Sequence, residues 1–273
     1  MILLIKNYSK IFLETLVKDF KIFISYKLAS FSFLFLIVAN VFLFFYFSMI
    51  VNINDDSYII NSNYFVYVIY GISVTEFTIL CINRIPSEIR NFQLTGVIEN
   101  IFNSNSSIIF VLISSTAFPL FLGVFKMFLY FLIAKLMFDV DIIIYENIYR
   151  YFVIILIYYL FLIGFGMIGG AYTILFKKGN PVTSIYIFLT AGFAETFIPI
   201  NVFPNVLIHL SNFIPTKKIL GLLRQLENKV LNSGFFDELL IIGVYNSLIF
   251  IFGVVLLNYA IKVAKNNGSL IHY

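Results

Sequence analysis

Tryptophan is absent from this 273-residue chain, cysteine occurs once, histidine twice and proline six times. Charge is scarce as well: Asp, Glu, Lys and Arg together make up 12% of the residues, against roughly 25% in a soluble domain. So thin a polar coat cannot cover a water-soluble globule when 61% of the residues are hydrophobic. The composition excludes that class and points to an integral membrane protein. The single Cys81 lies in an apolar stretch and excludes an intramolecular disulfide. His209 and His272 are far apart, with no cysteine or acid pair beside either, so no metal site is expected. There is no G-x-x-x-x-G-K-[ST] loop for nucleotide phosphates and no G-x-S-x-G elbow. The doublet Asp55-Asp56 is a weak signal that solvates a turn, and no basic run interleaved with aromatics points to nucleic acid. No catalytic residues are assigned, and the chain is not expected to be an enzyme or to bind a cofactor itself.

What the chain has instead is apolar length. Phe occurs 34 times and Tyr 18 times. The weight of Ile, Phe, Asn, Lys and Tyr, all with AT-rich codons, points to a low-GC genome, bacterial or archaeal. Six stretches, about 28–51, 64–83, 108–135, 151–176, 182–202 and 238–261, are apolar enough for transmembrane helices. The third is interrupted by Pro119 and carries Lys126. The expected fold is therefore an all-α polytopic membrane protein: residues 1–27, a six-span unit over 28–262, and a short tail over 263–273. In residues 1–27, Phe12, Leu13, Leu16, Val17, Phe20, Phe23 and Ile24 form one helical face, and Lys10, Glu14, Lys18 and Lys21 the other. Such a helix lies in the headgroup plane, with Glu14 and Lys18 in the favourable i, i+4 order; an N-terminal extension of the first span is the alternative. With five lysines, no small-residue cleavage site and no compact apolar core, this segment is not expected to be a cleavable signal.

The longest polar interruption near the middle is RIPSEIRNFQLTGVIENIFNSNSS, residues 84–107. Leu94, Val97, Ile98, Ile101 and Phe102 make one helical stripe, and Gln93, Thr95, Gly96, Glu99, Asn100 and Asn103 fall largely opposite. The spacing predicts a short amphipathic helix over about 86–103, entered through Pro86-Ser87. It is either a plain interfacial helix or a docking element for a soluble partner. Charge orients the chain. Segments 1–27, 84–107, 177–181 and 262–273 hold 11 basic and 4 acidic residues, whereas 52–63, 136–150 and 203–238 hold 5 and 8. The positive-inside rule then places both termini and residues 84–107 in the cytoplasm of a cell-membrane protein. Residues 203–237 are too long for a loop and too apolar for a soluble tail. Pro204 and Pro215 bracket one short helix, and Thr216 can cap a second that runs through Arg224 to about Val230. Both are expected to form an external re-entrant hairpin. Glu76 and Glu195 lie inside spans, where an ionisable group is a functional candidate unless it pairs with a base such as Lys126 or Lys135. In the fourth span Gly166 and Gly170 have small-xxx-small spacing, suited to close packing within the chain.

In the order of these features the chain resembles the membrane (permease) subunit of ABC transporter type 2 family exporters. Two local patterns are similar to that family: Arg90 followed by Gly96-Val-Ile-Glu99, and a span-five hairpin with Pro204, Pro215 and, further on, Arg224. The resemblance implies a half-transporter that forms its pathway as a homodimer or with a sister permease. It also implies a separate ABC-type ATPase subunit, carrying ATP and Mg, that grips a coupling helix at 86–103 through Arg90, Gly96, Glu99 and Asn100. The lipid bilayer is the remaining partner. The alternative is an ion- or proton-coupled secondary transporter that uses Glu76 and Glu195. Such folds usually show paired broken helices, and only one broken region, near 199–215, is visible.

Overall fold

The computed structural model describes residues 2–50, 64–98, 101, 107–140, 148–177, 179–228 and 234–266. Within these the chain is mostly helical and contains no strand. The helices are α1 (Ile2–Ser25), α2 (Lys27–Ile50), α3 (Tyr64–Ile82), α4 (Arg84–Leu94), α5 (Ile108–Ser115), α6 (Ala117–Phe138), α7 (Ile148–Phe176), α8 (Pro181–Phe193), α9 (Asn205–Ser211), α10 (Pro215–Glu227) and α11 (Phe235–Asn266). Five stretches are long and apolar enough to cross a bilayer: Ser30–Met49, Tyr64–Leu94, Ile108–Phe138, Ile148–Phe176 and Phe235–Asn266. This fits a multi-pass membrane protein. The second is the hub, 83% enclosed by the rest of the chain against 11% for the first.

Two of the long stretches are paired helices bent at a proline. Pro86 has no N–H to donate to the Ile82 carbonyl one turn back, and α3 gives way to α4 at Asn83. Pro119 likewise leaves the Ser115 carbonyl without its helical donor, and α5 gives way to α6 at Thr116. The longest crossing is that of α7 with α11. There Gly164 meets Gly253 so closely that a Cβ on either would sit on the partner's backbone. Gly166 abuts the Ile82 carbonyl, and Gly170 abuts Ile85 and Ile89. The glycines of the fourth stretch therefore pack within the chain, as their spacing predicts.

Four expectations need correcting. No continuous helix covers 182–202: α8 has 13 residues, about 20 Å, and the chain leaves helical geometry at Ala194. The helix expected over 86–103 starts at Arg84 and stops at Leu94, because Gly96 adopts a left-handed φ of 68°. The predicted stripe assumed unbroken geometry through this point; Ile98 is buried as expected, whereas Leu94 and Val97 are exposed and Ile85, Ile89 and Gln93 are buried. Glu99, Asn100, Phe102 and Asn103 lie outside the described residues. In α1, Glu14 pairs with Lys10 rather than with Lys18. Finally, Thr216 caps nothing: the N-cap of α10 is Ile214 and Pro215 is its first residue. Val230, where α10 was expected to end, is outside the described residues; the helix stops at Glu227.

Between α1 and α2 the chain folds back at Tyr26. Phe23 and Phe33 meet edge-on with ring centroids 5.9 Å apart, where a continuous helix would separate ten residues by about 15 Å. The N-terminal helix is therefore a separate element and not a straight extension of the first span.

Candidate functional site

One end of the bundle gathers α1, α4, the start of α5, the 177–181 link and the end of α11. Ile85, Ile89 and Ile98 pack there with Leu112, Ile174, Leu257, Ala260 and Ala264. These are segments that the charge count assigns to one side of the membrane. At this end Arg84 is the organising side chain. Its Nε donates to the Ser115 carbonyl (3.1 Å), the acceptor that Pro119 leaves free. Its Nη2 donates to Asp19 and lies 3.4 Å from Glu88. Lys18 completes the cluster, 3.0 Å from Glu88 and 3.7 Å from Asp19. Both carboxylates are buried, at 5% exposure, so the two bases are what make their ionised forms tolerable. Together the four residues clasp α1, α4 and the α5–α6 bend. They line an open groove of about 590 Å³ whose other walls include Phe23, Phe92 and Phe118 and, from α4, Asn91. Arg90 turns away from this groove and donates to the Lys177 carbonyl (3.0 Å), and Gln93 donates to the Thr173 carbonyl (3.4 Å). The side of α4 left open carries Ser87, Asn91 and Thr95 at i, i+4 and i+8 beside the exposed Leu94, with Gly96 beyond them.

The two membrane acids are both paired. Glu76 on α3 accepts from Lys126 on α6 (2.8 Å), and the ammonium also stands 5.1 Å above the Phe33 ring. Glu195 pairs with neither Lys126 nor Lys135. It sits at the end of α8 with a left-handed φ of 61°, a conformation that costs a non-glycine residue roughly 1–3 kcal/mol. Its carboxylate lies 3.4 Å from Lys217 and 4.0 Å from Arg224. Arg224 holds the turn from the backbone side, donating through Nη2 to the carbonyls of Glu195 (2.8 Å) and Tyr67 (2.9 Å). Its guanidinium carbon stacks 3.4 Å from the Tyr67 ring centroid. Next to this clamp, Gly71 of α3 lets the Thr196 backbone close in. Pro204 caps α9 and Pro215 opens α10, so these two set geometry while Arg224 carries the interaction.

The buried face of α10 brings a second polar line into the core. Ile219, Leu220, Leu222, Leu223 and Leu226 are enclosed, and Thr216 bonds the hydroxyls of Tyr158 and Tyr186, each at 2.7 Å. Tyr158 in turn reaches Thr78 (2.6 Å). At the other end of α10, Glu227 accepts from Tyr70 (2.7 Å), which meets the Tyr151 hydroxyl at 2.9 Å. Thus α10 runs antiparallel to α3, from the level of Thr78 to that of Tyr70. Sequence reasoning missed Asp19, Arg84, Glu88, Tyr67 and this hydroxyl line. The one local clue was Pro119, which had to free a carbonyl for some donor.

Among the described residues no group of three or more His, Cys, Asp or Glu is placed to hold a metal ion. No protein-family model matches the chain, and no curated protein matches it.

Proposed function

We propose that the chain is the membrane-spanning subunit of an ATP-driven exporter, forming its pathway as a dimer and coupled to a separate ATPase subunit. The observation that carries this reading is the exposed face of α4 with Ser87, Asn91 and Thr95, flanked by the Asp19–Arg84–Glu88 clasp along the same groove and backed by buried Ile85, Ile89 and Gln93. A helix that receives force from a soluble engine has to be open on one side and rigidly tied to the spans on the other. The clasp ties it to α1 and to the α5–α6 bend, and Ile85 and Ile89 tie it to α7 and α11. The groups needed to bind ATP and Mg belong to the ATPase in this reading. The chain sits in the cell membrane with α4 and both termini on the cytoplasmic side, following its charge bias. In this reading α8 and residues 194–202 together make the fifth of six passages, and α9 and α10 form the external re-entrant hairpin. The lysine partners of Glu76 and Glu195 favour structural ion pairs over ion carriers, which disfavours a secondary transporter.

The test is co-purification with an ABC-type ATPase, read together with substrate-stimulated ATP hydrolysis in reconstituted membranes. Asn91→Arg, Gly96→Leu and Glu99→Arg are expected to weaken ATPase binding or uncouple hydrolysis at unchanged expression. A Cβ at Gly96 meets nothing of this chain within 4 Å, so a clash there is with the partner, apart from about 1–2 kcal/mol of left-handed strain. Wild-type binding and coupling in all three variants would overturn the docking role.

A further inference from the structure

A second cavity, of about 320 Å³, opens between α10 and the beginning of α11, and its chemistry selects a ligand. Lys217 lines it but is spent: its ammonium meets Glu195 (3.4 Å), Ser211 (2.9 Å) and Asn212 (2.9 Å), one partner for each of its three N–H groups. Lys218 and Glu238 also line it, and neither makes an ion pair among the described residues. In the same lining the Gln225 Oε1 is buried with no protein hydrogen-bond partner, an acceptor whose desolvation is uncompensated unless a water or a ligand supplies a donor. The wall is completed by Ile241 and Ile242. The position matters as much as the lining. Asp237 and Glu238 form the acidic first turn of α11, and from Leu240 to Val255 its exposed side chains are hydrophobic (among them Leu240, Ile241, Val244 and Leu248). The cavity therefore straddles the boundary between the polar end and the lipid-facing surface, the depth at which phospholipid phosphates lie.

The geometry points to a binding site for a phospholipid that carries both a phosphate and a primary ammonium, a phosphatidylethanolamine. Its phosphate meets Lys218, its ammonium meets Glu238 and donates to Gln225, and its chains lie along Phe213, Ile241 and Tyr245, which are exposed. Among the described residues the walls carry one cation and one anion with no ion-pair partner, which match a zwitterion better than a net anion. A choline headgroup has no N–H for Gln225. The inference needs a membrane-embedded chain and not the exporter reading; failure to co-purify an ATPase leaves it standing.

Purified full-length protein in detergent is incubated with phosphatidylethanolamine, phosphatidylcholine or phosphatidylglycerol, and retained lipid is counted by native mass spectrometry. Wild type is expected to retain phosphatidylethanolamine at least about tenfold better than phosphatidylcholine. Lys218→Ala is expected to lower retention of phosphatidylethanolamine and phosphatidylglycerol alike by about tenfold. Glu238→Gln should lower only phosphatidylethanolamine, and Lys262→Ala, at the far end of α11, should change neither. Gln225→Leu replaces the orphaned amide with an apolar group, keeps the fold, and should abolish the ethanolamine preference even if Lys218→Ala proves unstable. Equal retention of ethanolamine and choline lipids by wild type, or wild-type retention by both Lys218→Ala and Gln225→Leu, would overturn the site. Tight binding of water-soluble phosphoethanolamine would reassign it to a soluble ligand and overturn the lipid.

Discussion

Replacing Arg84 by methionine should unlock the helix-α4 end of the bundle, and the size of the effect follows from what the guanidinium holds. It neutralises Asp19 and Glu88, both 5% exposed, and donates to the Ser115 carbonyl. Without it two buried carboxylates share Lys18, and one backbone acceptor is left to find water. Breaking a buried ion pair from one side costs about 3–5 kcal/mol, and an unsatisfied carbonyl about 1–3 kcal/mol. These contributions overlap, because Asp19 can move once Arg84 is gone, so about 3–5 kcal/mol in all is expected. That corresponds to a fall in unfolding midpoint on the order of 10 °C. The chain carries its own reporter: Cys81 is its single cysteine, free and 1% exposed. A thiol-reactive fluorophore therefore labels it only on unfolding, in a protein with no tryptophan to compete. The decisive comparison is the triple variant Arg84→Met, Asp19→Asn, Glu88→Gln. With the orphaned charges removed it should recover most of the loss, since apolar or neutral replacement of a whole buried ionic group is often close to neutral. A single variant within about 0.5 kcal/mol of wild type, or a triple variant no better than the single one, would refute the claim that buried charge pairing governs this end.

Three other outcomes are expected. Lys126→Met should destabilise by about 3 kcal/mol, and adding Glu76→Gln should restore most of it; the same Cys81 labelling midpoint reads both. Gly253→Leu should block the α7–α11 crossing and prevent accumulation of folded protein, whereas Gly243→Leu, with nothing within 4 Å of its Cβ position, should be tolerated in an expression and gel-filtration comparison. On a Cys81→Ala background, a cysteine at Asn91 should be labelled by membrane-impermeant reagents only after the inner face is opened, and labelling in intact cells would refute the cytoplasmic placement of α4.

Length and apolarity were enough to identify five of the six expected stretches as able to cross a bilayer, because a spanning segment must satisfy its backbone internally and stay apolar over about 20 residues; 182–202 fell short. The bends at Pro86 and Pro119, the break between helices near 199–215 and the intrachain use of the glycines were legible for similar local reasons. What only the tertiary structure decided is where the polar groups go. Glu195 finds Lys217 rather than Lys126 or Lys135, since the chain turns at Ala194 and brings α10 back into the bundle. Arg84 becomes the hub of one end only because Pro119, 35 positions later, frees a carbonyl in space beside it. The apolar stripe expected from residue 94 onward held at Ile98, which is buried, but not at Leu94 and Val97, because the left-handed Gly96 between them resets the helical phase. Periodicity reports which side of a helix is apolar, but partners separated by 22 to 157 positions meet through packing that no local pattern encodes.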